Sequence, residues 1–328
     1  MLRGGLALAW LWLGLNGPAW ADDVQQWLTR MDQAMASISY RGTLVRMGHG
    51  RMDTLSVVHR VDEDGIRERI QALDGPPREV LREHDQIRCL ISGQSSVVVD
   101  NPFPAQIFDR MRHGEMSGLE SVYTAQLRGT DRVAGRNARV IDIIPADRYR
   151  YGRRLWLDGG TGMLLRSVVF SPDGGVVERL SFVEIELDAS ISDRELESDL
   201  ENPKRVRHYE VTDRDYSNDG ISRQPRWLPE DLPGGFRLTS VGRGGSDPEQ
   251  YEHLLFSDGL SHFSIYIEPV GATSIAEEIE ARGAMHIYTG TLDDHRVTVV
   301  GEVPVPTVRL IGRHLRRADG SSRRVRER

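Results

Sequence analysis

The sequence predicts an α+β protein: a half-open, curved antiparallel β-sheet wrapped on helices, followed by a smaller C-terminal α+β domain. Three observations support this prediction. One stretch with helical periodicity lies near the N-terminus, many short strand patterns follow it with only turn residues between them, and a charged segment poor in apolar residues divides the chain. Connections this short exclude crossover helices, so neighbouring strands are expected to pair antiparallel.

Residues 1–21 have the layout of a secretory signal peptide. Arg3 precedes an apolar run from Leu6 to Leu15, and Ala19 and Ala21 provide the small residues before cleavage after Ala21. The run is too short to cross a bilayer, which takes about 20 apolar residues. We therefore expect the chain to be exported in soluble form.

Residues 22–201 are predicted to form a large first domain. A helix covers 23–38, where the apolar residues share one face and Asp22 or Asp23 caps the start. A meander of about ten strands follows it, which is at the upper end for one sheet. Because strand twist accumulates across a sheet, this one must curl around something, and the helices are the available filling.

An irregular insert interrupts the meander from Pro102 to about Tyr123. Its apolar residues have the spacing of a short amphipathic helix: Phe103, Ile107, Phe108 and Met111. We interpret the insert, together with the first helix, as the filling of the curved sheet.

The remainder divides into a linker, a second domain and a tail. Residues 202–225 are heavily charged and predict a linker that few contacts cross. Residues 226–315 form the second domain, with five strand patterns between 236 and 301 and helical patterns at 274–282 and 305–315. The basic tail, 316–328, has no apolar anchor and is expected to be disordered.

Charge and cysteine content limit the classes of partner. The formal net charge is −7, and −8 once Arg3 leaves with the signal peptide. An acidic chain argues against nucleic acid as a partner and suits a basic protein segment. Cys89 is the only cysteine, which rules out an internal disulfide. A buried structural thiol is favoured over a redox role, and the function of Cys89 stays open.

Motifs for catalysis, metal or cofactor binding are not found, so we expect no enzyme and no cofactor. The pair His84 and Cys89 supplies only two ligands, which do not make a metal site. Ser261 and His262 leave opposite faces of a strand and cannot act as nucleophile and base. One alternative stays open, an acid pair in a cleft of the sheet drawn from carboxylates within strand patterns: Asp142, Glu178, Glu184 and Glu186.

Five segments, taken together and in order, resemble the RseB/MucB family of regulators of the envelope-stress sigma factor. They are LDGPPREVLREHDQI (73–87), RVAGRNARVIDIIPADRYRYGRRLWLD (132–158), WLPEDLPGGF (227–236), FSDGLSHFSI (256–265) and VVGEVPVPTVRLI (299–311). Each segment alone is weak, but the match extends over nearly the whole mature chain. The basic tail and the charged linker have no counterpart in this resemblance.

The resemblance implies a fold and a function. The large domain should be similar to the lipoprotein carriers LolA and LolB, with a smaller domain behind it. Members of the family are periplasmic, bind the periplasmic segment of a membrane-spanning anti-sigma factor and shield it from regulated proteolysis. The resemblance also implies that lipid or lipopolysaccharide fragments displace them from this partner. They are not enzymes, and a homodimer is left open.

On this basis we assign candidate residues to two binding sites. The apolar residues of the insert are expected to gate a lipid cavity, and Trp227, Phe236 and Tyr266 to hold the anti-sigma segment. The charged linker is the expected hinge between the two sites. Two alternatives remain: a lipid or lipoprotein carrier that uses the same cavity for transport, and a hydrolase of envelope sugars.

Overall fold

The computed structural model describes residues 22–48, 50–84, 86–91, 119–200, 205–210, 224–244, 251–270 and 275–318. The predicted signal peptide and the apolar residues of the insert lie outside these ranges, as does most of the basic tail. Among the helices of the described ranges, none has the length and apolar character to cross a membrane.

The first domain is one large antiparallel sheet with α1 (Asp22–Ser37) on one face. Eleven strands are seen in the described ranges, in the spatial order β11-β5-β4-β3-β2-β1-β10-β9-β8-β7-β6. Their bounds are β1 (Tyr40–Gly48), β2 (Arg51–Asp62), β3 (Gly65–Ala72), β4 (Arg78–Glu83), β5 (Gln86–Ile91), β6 (Tyr123–Val133), β7 (Arg136–Pro145), β8 (Gly152–Asp158), β9 (Leu164–Phe170), β10 (Val176–Leu187) and β11 (Arg205–Glu210). A 3-10 turn (Leu119–Ser121) precedes β6, and a short helix, α2 (Asp193–Leu196), follows β10.

The central strand β1 joins the two halves of this sheet. It pairs with β2 on one side and with β10 on the other, so the end of the meander returns to its beginning. The apolar stripe of α1 packs into the same core as the sheet, and we call the side of the sheet that faces it the inner face. Arg30 fixes the helix by donating to the Gly160 carbonyl oxygen (2.6 Å). The predicted helix and the predicted meander of antiparallel strands are confirmed.

The second domain is a six-stranded antiparallel sheet with one helix packed on it. Its spatial order is β13-β14-β15-β18-β17-β16, and a separate two-stranded pair, β12-β19, closes it. The elements are β12 (Trp227–Pro229), β13 (Arg237–Gly244), β14 (Tyr251–Ser257), β15 (His262–Pro269), β16 (Glu278–Arg282), β17 (Met285–Leu292), β18 (His295–Gly301), α3 (Val305–Arg313) and β19 (Leu315–Arg317). Val308 and Ile311 of α3 are fully buried in the same core as Tyr288 of β17. The α+β fold class is confirmed for both domains.

Two sequence predictions are wrong in this region. The helix predicted over 274–282 is not formed, because residues 278–282 are strand β16 and pair with β17. The segment 202–225 is not all linker, because β11 lies within it and pairs with β5 at the edge of the large sheet. In both segments the local composition favours another structure, and pairing with an available strand edge decides the outcome.

The two domains meet around a fully buried arginine. The Arg150 side chain donates to Asp258 of the second domain (2.8 Å) and to the Gly234 carbonyl oxygen (2.5 Å), and it forms an ion pair with Asp147 (3.1 Å). Its guanidinium also lies over the Phe236 ring, 4.8 Å from the centroid. One cation thus connects a loop of the large domain to two turns of the small one.

Further contacts extend this interface. Arg153 donates to Glu302 (2.7 Å), the Thr307 hydroxyl donates to the Tyr149 carbonyl oxygen (2.6 Å), and the Tyr123 hydroxyl donates to Asp258 (2.9 Å). Burial and the nearby Asp258 carboxylate raise the pKa of Tyr123, so its hydroxyl keeps the proton that it donates. The expectation that few contacts link the domains is therefore wrong.

Gly42 tests the packing of β1 against β10. A Cβ at this position would clash with the Glu184 carbonyl oxygen, whereas a Cβ at Gly234 meets nothing within 4 Å. We expect Gly42→Ala to lower the free energy of unfolding by about 1–3 kcal/mol, the cost of overpacking, and Gly234→Ala to leave it nearly unchanged. Urea denaturation of both variants measures this difference. Equal midpoints for the two variants would contradict the described register of β1 and β10.

Asp258→Asn tests the buried ion pair between the domains. Removing one partner leaves the Arg150 charge undercompensated in the interior, so the free energy of unfolding should fall by about 3–5 kcal/mol. Glu280→Gln, which breaks the exposed pair with Arg282, should cost less than about 1 kcal/mol. Urea denaturation of Asp258→Asn, of Arg150→Met and of the double variant gives the coupling energy between the two side chains. Purely additive losses of stability would contradict their pairing.

Candidate functional site

The inner face of strands β1 to β5 carries side chains in rows that run across the strands. Directly paired residues on neighbouring strands point to the same face, so each row follows from the register. The row nearest the start of β1 is polar and buried: Tyr40, His59, Glu68 and Arg82. The two rows beside it are apolar apart from the thiol: Gly42, Val57, Ile70, Val80 and Cys89, then Leu44, Leu55 and Ala72. We call these the polar row and the apolar rows.

The polar row contains a histidine whose hydrogen-bonding capacity is unused. The Tyr40 and His59 rings stack with their centroids 4.8 Å apart. His59 Nδ1 lies 3.5 Å from a Glu68 carboxylate oxygen, and in the described part of the chain neither ring nitrogen of His59 has a hydrogen-bond partner. Burial, and to a lesser extent the Glu68 charge, raise the pKa of Tyr40 well above its ordinary value. The phenol therefore stays protonated.

The second candidate surface is the face of the small sheet opposite α3. Residues of β15 alternate in burial as predicted, with Phe263, Ile265 and Ile267 in the core and Tyr266 half-buried on the other side. The Tyr266 ring stacks on His253 at 4.4 Å, and His253 Nε2 lies 2.9 Å from the Ser264 hydroxyl. We call this the open face.

Tyr251 extends the aromatic cluster of the open face. Its ring centroid is 6.4 Å from that of Tyr266, and its side chain is exposed. Burial raises the pKa of Tyr266 above its ordinary value, with a smaller contribution from Tyr251, so the Tyr266 hydroxyl stays protonated. The cluster combines flat apolar rings with polar tips, which suits a protein-binding surface.

The structure separates the three residues predicted to hold a partner. Trp227 is 4% exposed, packs edge-on against His295 and lies beneath the Arg317 guanidinium. Phe236 is equally buried and packs against Phe263. Trp227 and Phe236 are therefore core residues of the small domain, where their large rings fill its interior. This corrects their assignment as contact residues. Only Tyr266 of the three lies on the open face.

Two other groups of predicted residues have different outcomes. Phe103, Ile107, Phe108 and Met111 lie outside the described residues. Of the carboxylates considered for an acid pair, three are held by arginines: Asp142 by Arg154, Glu178 by Arg46 and Glu186 by Arg41. These ion pairs give the carboxylates structural roles in the sheet.

Sequence reasoning missed the polar row and the interface arginine for different reasons. Strand alternation in the β2 segment places His59 on the same face as the apolar residues Leu55 and Val57. The sequence pattern alone could therefore have shown a polar residue on the buried face of this strand. Arg150 and Asp258 are 108 residues apart, and nothing in a single sequence indicates that they pair.

The chain matches two family models, the MucB/RseB N-terminal domain over residues 23–200 and the MucB/RseB C-terminal domain over residues 222–316. Among curated proteins, it is 33% identical over 307 residues to the sigma factor AlgU regulatory protein MucB of Pseudomonas aeruginosa, covering 90% of this chain and 92% of that protein. It is 24% identical over 287 residues to the sigma-E factor regulatory protein RseB of Haemophilus influenzae, covering 88% and 89% of the two chains.

Solved structures give the same result. A structure described as the complex of Pseudomonas aeruginosa MucA and MucB is similar with a TM-score of 0.71 and 32% identity, over 90% of this chain and 99% of that one. A crystal structure of MucB alone has a TM-score of 0.61 and 30% identity, over 90% and 98% of the two chains. Both domains are matched in order and at nearly full length. The chain therefore belongs to the MucB/RseB family.

Proposed function

We propose that this protein is a periplasmic regulator that binds the periplasmic segment of a transmembrane anti-sigma factor and shields it from regulated proteolysis. The observation that carries the proposal is the similarity, over nearly the whole chain, to a MucB that was solved in complex with MucA. Another similar structure is described as MucB with the periplasmic part of MucA, at 31% identity and a TM-score of 0.69. Because both domains are matched, we expect the binding surface of that relative to have a counterpart here.

We place the partner contact on the open face around Tyr266. Binding energy at protein interfaces is concentrated in a few aromatic and arginine side chains, and this face presents Tyr251, His253 and Tyr266 as one cluster. Trp227 and Phe236 lie in the core of the small domain and support this sheet by packing. The acidic net charge of −7 favours approach of a segment that carries basic residues.

Release by lipid is the second part of the proposal. We propose that an acyl chain binds in the core of the large domain next to the buried apolar rows, and burying each methylene contributes about 0.8 kcal/mol. A dozen methylenes give on the order of 10 kcal/mol before ordering costs, enough to compete with a protein partner. From the sequence alone, we keep the apolar residues of the insert, Phe103 to Met111, as the proposed gate.

A lipid carrier would use the same apolar rows, but one observation favours the regulator. A carrier has no need of a second domain, whereas here Asp258 of the small domain neutralises the fully buried Arg150 of the large one. The second domain is thus joined to the first through a fully buried ion pair.

The first experiment combines a pull-down with a protection assay. The mature chain should retain the periplasmic domain of its cognate anti-sigma factor and slow its cleavage by the site-one protease, and a single-chain amphiphile should reverse both effects. A buffer-only arm and an unrelated periplasmic protein serve as controls. If the mature chain does not bind the anti-sigma domain even in the absence of amphiphile, the proposed regulatory function is refuted. If it binds the anti-sigma domain but no amphiphile releases it, only the lipid step is refuted.

Tyr266→Ala tests the position of the partner surface. We expect the dissociation constant for the anti-sigma domain to rise roughly thirtyfold, about 2 kcal/mol, because the central ring of the aromatic cluster is lost. Phe170→Ala, a partly buried aromatic residue on the large sheet, is the matched control and should leave the affinity unchanged. Calorimetric titration measures both. An unchanged affinity in Tyr266→Ala would place the partner elsewhere.

A further inference from the structure

We propose that the free edge of β16 binds an extended segment of the anti-sigma periplasmic domain, which adds to the small sheet as a seventh, antiparallel strand. The inference rests on the proposed function and adds the mode of binding and the residue pattern of the segment. In strand addition, main-chain hydrogen bonds supply the affinity and the side chains of alternate residues supply the specificity.

The outer edge of β16 lacks the usual protection against pairing. Proteins protect free edges with β-bulges, and the other edge strands of the two large sheets whose side chains are described each have a register shift: β6 at Leu127/Gly129 and β13 at Leu238/Ser240. By contrast, β16 pairs with β17 in regular register, and four of its five residues are exposed. Within the described ranges, no strand pairs with its outer edge. The main-chain groups of this edge are therefore accessible to a partner strand.

The composition of β16 is the second argument. The strand consists of two glutamates, an isoleucine, an alanine and an arginine, and all of these except isoleucine favour a helix over a strand. Pairing with β17 on one side holds the segment extended. A strand on the other side would add hydrogen bonds that favour the same extended form. Such a conflict between local preference and fold is expected where a segment has a binding function.

The two faces of β16 determine which side chains fit beside it. Glu278 and Glu280 lie on the open face, and Arg282 follows them on the same face by strand alternation. Ile279 packs against the core on the opposite face. Directly opposed residues of paired strands point to the same face. An added strand therefore needs basic residues opposite the two glutamates, an acidic residue opposite the arginine and apolar residues between them.

Charge favours this segment over a second copy of the same edge. In the described part of the chain Glu278 has no ion-pair partner, and Glu280 has only the exposed pair with Arg282 (3.1 Å). If two copies of β16 paired antiparallel with Glu278 opposite Arg282, the two Glu280 carboxylates would face each other, which destabilises a pair of strands. A basic residue at the central position removes this conflict. Read from its N-terminus, the expected segment is acidic, apolar, basic, apolar, basic.

The edge is within reach of a partner that covers the aromatic cluster of the open face. One row of paired residues joins Tyr266 to Glu278 across this face, through Thr298 and Thr289. Three strand spacings separate the two ends of the row, roughly 14 Å. One bound segment can therefore contact the cluster while a neighbouring segment adds to β16.

Hydrogen exchange of the mature chain with and without the anti-sigma periplasmic domain tests strand addition directly. We expect exchange of the outward-facing amides within 278–282 to slow at least tenfold in the complex, because they donate hydrogen bonds to the added strand. The amides of β13, the other edge of the same sheet, serve as the internal control and should not slow. Unchanged exchange at β16 in a formed complex would overturn the proposal and leave the proposed function standing.

Three synthetic peptides, titrated into the mature chain and followed by NMR, test the residue pattern. Glu-Val-Lys-Val-Lys should bind roughly tenfold more tightly than its reversed order, Lys-Val-Lys-Val-Glu, because two attractive cross-strand pairs become repulsive. The charge-inverted peptide, Lys-Val-Glu-Val-Glu, should bind at least as weakly as the reversed one. Equal affinities for the first two peptides would contradict the antiparallel pairing and the predicted pattern.

Charge reversal on the protein completes the test. Glu278→Lys combined with Glu280→Lys should bind the charge-inverted peptide more tightly than the original one and bind the anti-sigma domain roughly tenfold more weakly. The matched control is Glu63→Lys with Asp64→Lys, which changes the net charge equally at an exposed turn of the large domain, and it should behave as the wild type. Glu278→Gln with Glu280→Gln removes the charges without reversal and should lose the preference if the lysine variant folds poorly.

The remaining outcomes separate this proposal from the proposed function. If the charge-reversed variant binds the anti-sigma domain as tightly as the wild type, another surface holds the partner and the strand addition is wrong. If ultracentrifugation shows a dimer that the charge reversal changes, the edge pairs with a second copy instead. If the wild type does not bind the anti-sigma domain at all, the proposed function fails and the occupant named for β16 fails with it.

Discussion

The burial of Arg150 is the constraint on which the two-domain arrangement depends. A guanidinium cannot lose its proton in a protein and carries five N–H donors, so it can be buried only where carboxylates and carbonyl oxygens surround it. Asp147 comes from its own loop, whereas Asp258 and the Gly234 carbonyl oxygen come from two turns of the small domain. All three segments must therefore be in place together. The orientation of the small domain follows from this requirement more than from the connecting segment.

This constraint limits how a ligand can release a protein partner. A ligand shifts an equilibrium between two arrangements only by its difference in affinity for them. An arrangement that separates Arg150 from Asp258 loses this ion pair and the hydrogen bond to the Gly234 carbonyl oxygen, a penalty that the ligand would have to offset. Release without domain separation avoids that penalty, since the ligand then needs only to change or occupy a surface that the partner uses. The charged segment predicted as a hinge also loses freedom, because β11 ties part of it to β5.

Whether a feature could be predicted from the sequence depends on how far apart along the chain its interacting residues lie. Periodicity is local, and it correctly predicts α1, the hairpins of both sheets and α3. Residues 278–282 are the exception, because glutamate and alanine favour a helix while the edge of β17 offers hydrogen bonds to a strand. Trp227 and Phe236 show a second limit, since the sequence identifies large rings without showing which side of a small sheet they fill. Arg150 and Asp258 show the third, because pairing across 108 residues leaves no local pattern.

Strand β1 sets the distance between the polar row and the domain interface. Tyr40 lies at its start, and Arg46 lies near its end, where it pairs with Glu178 (2.7 Å) close to Gly283 of the small domain. Six residues of extended strand separate them by roughly 20 Å. A change at the polar row therefore reaches the small domain through the packing along this length of β1.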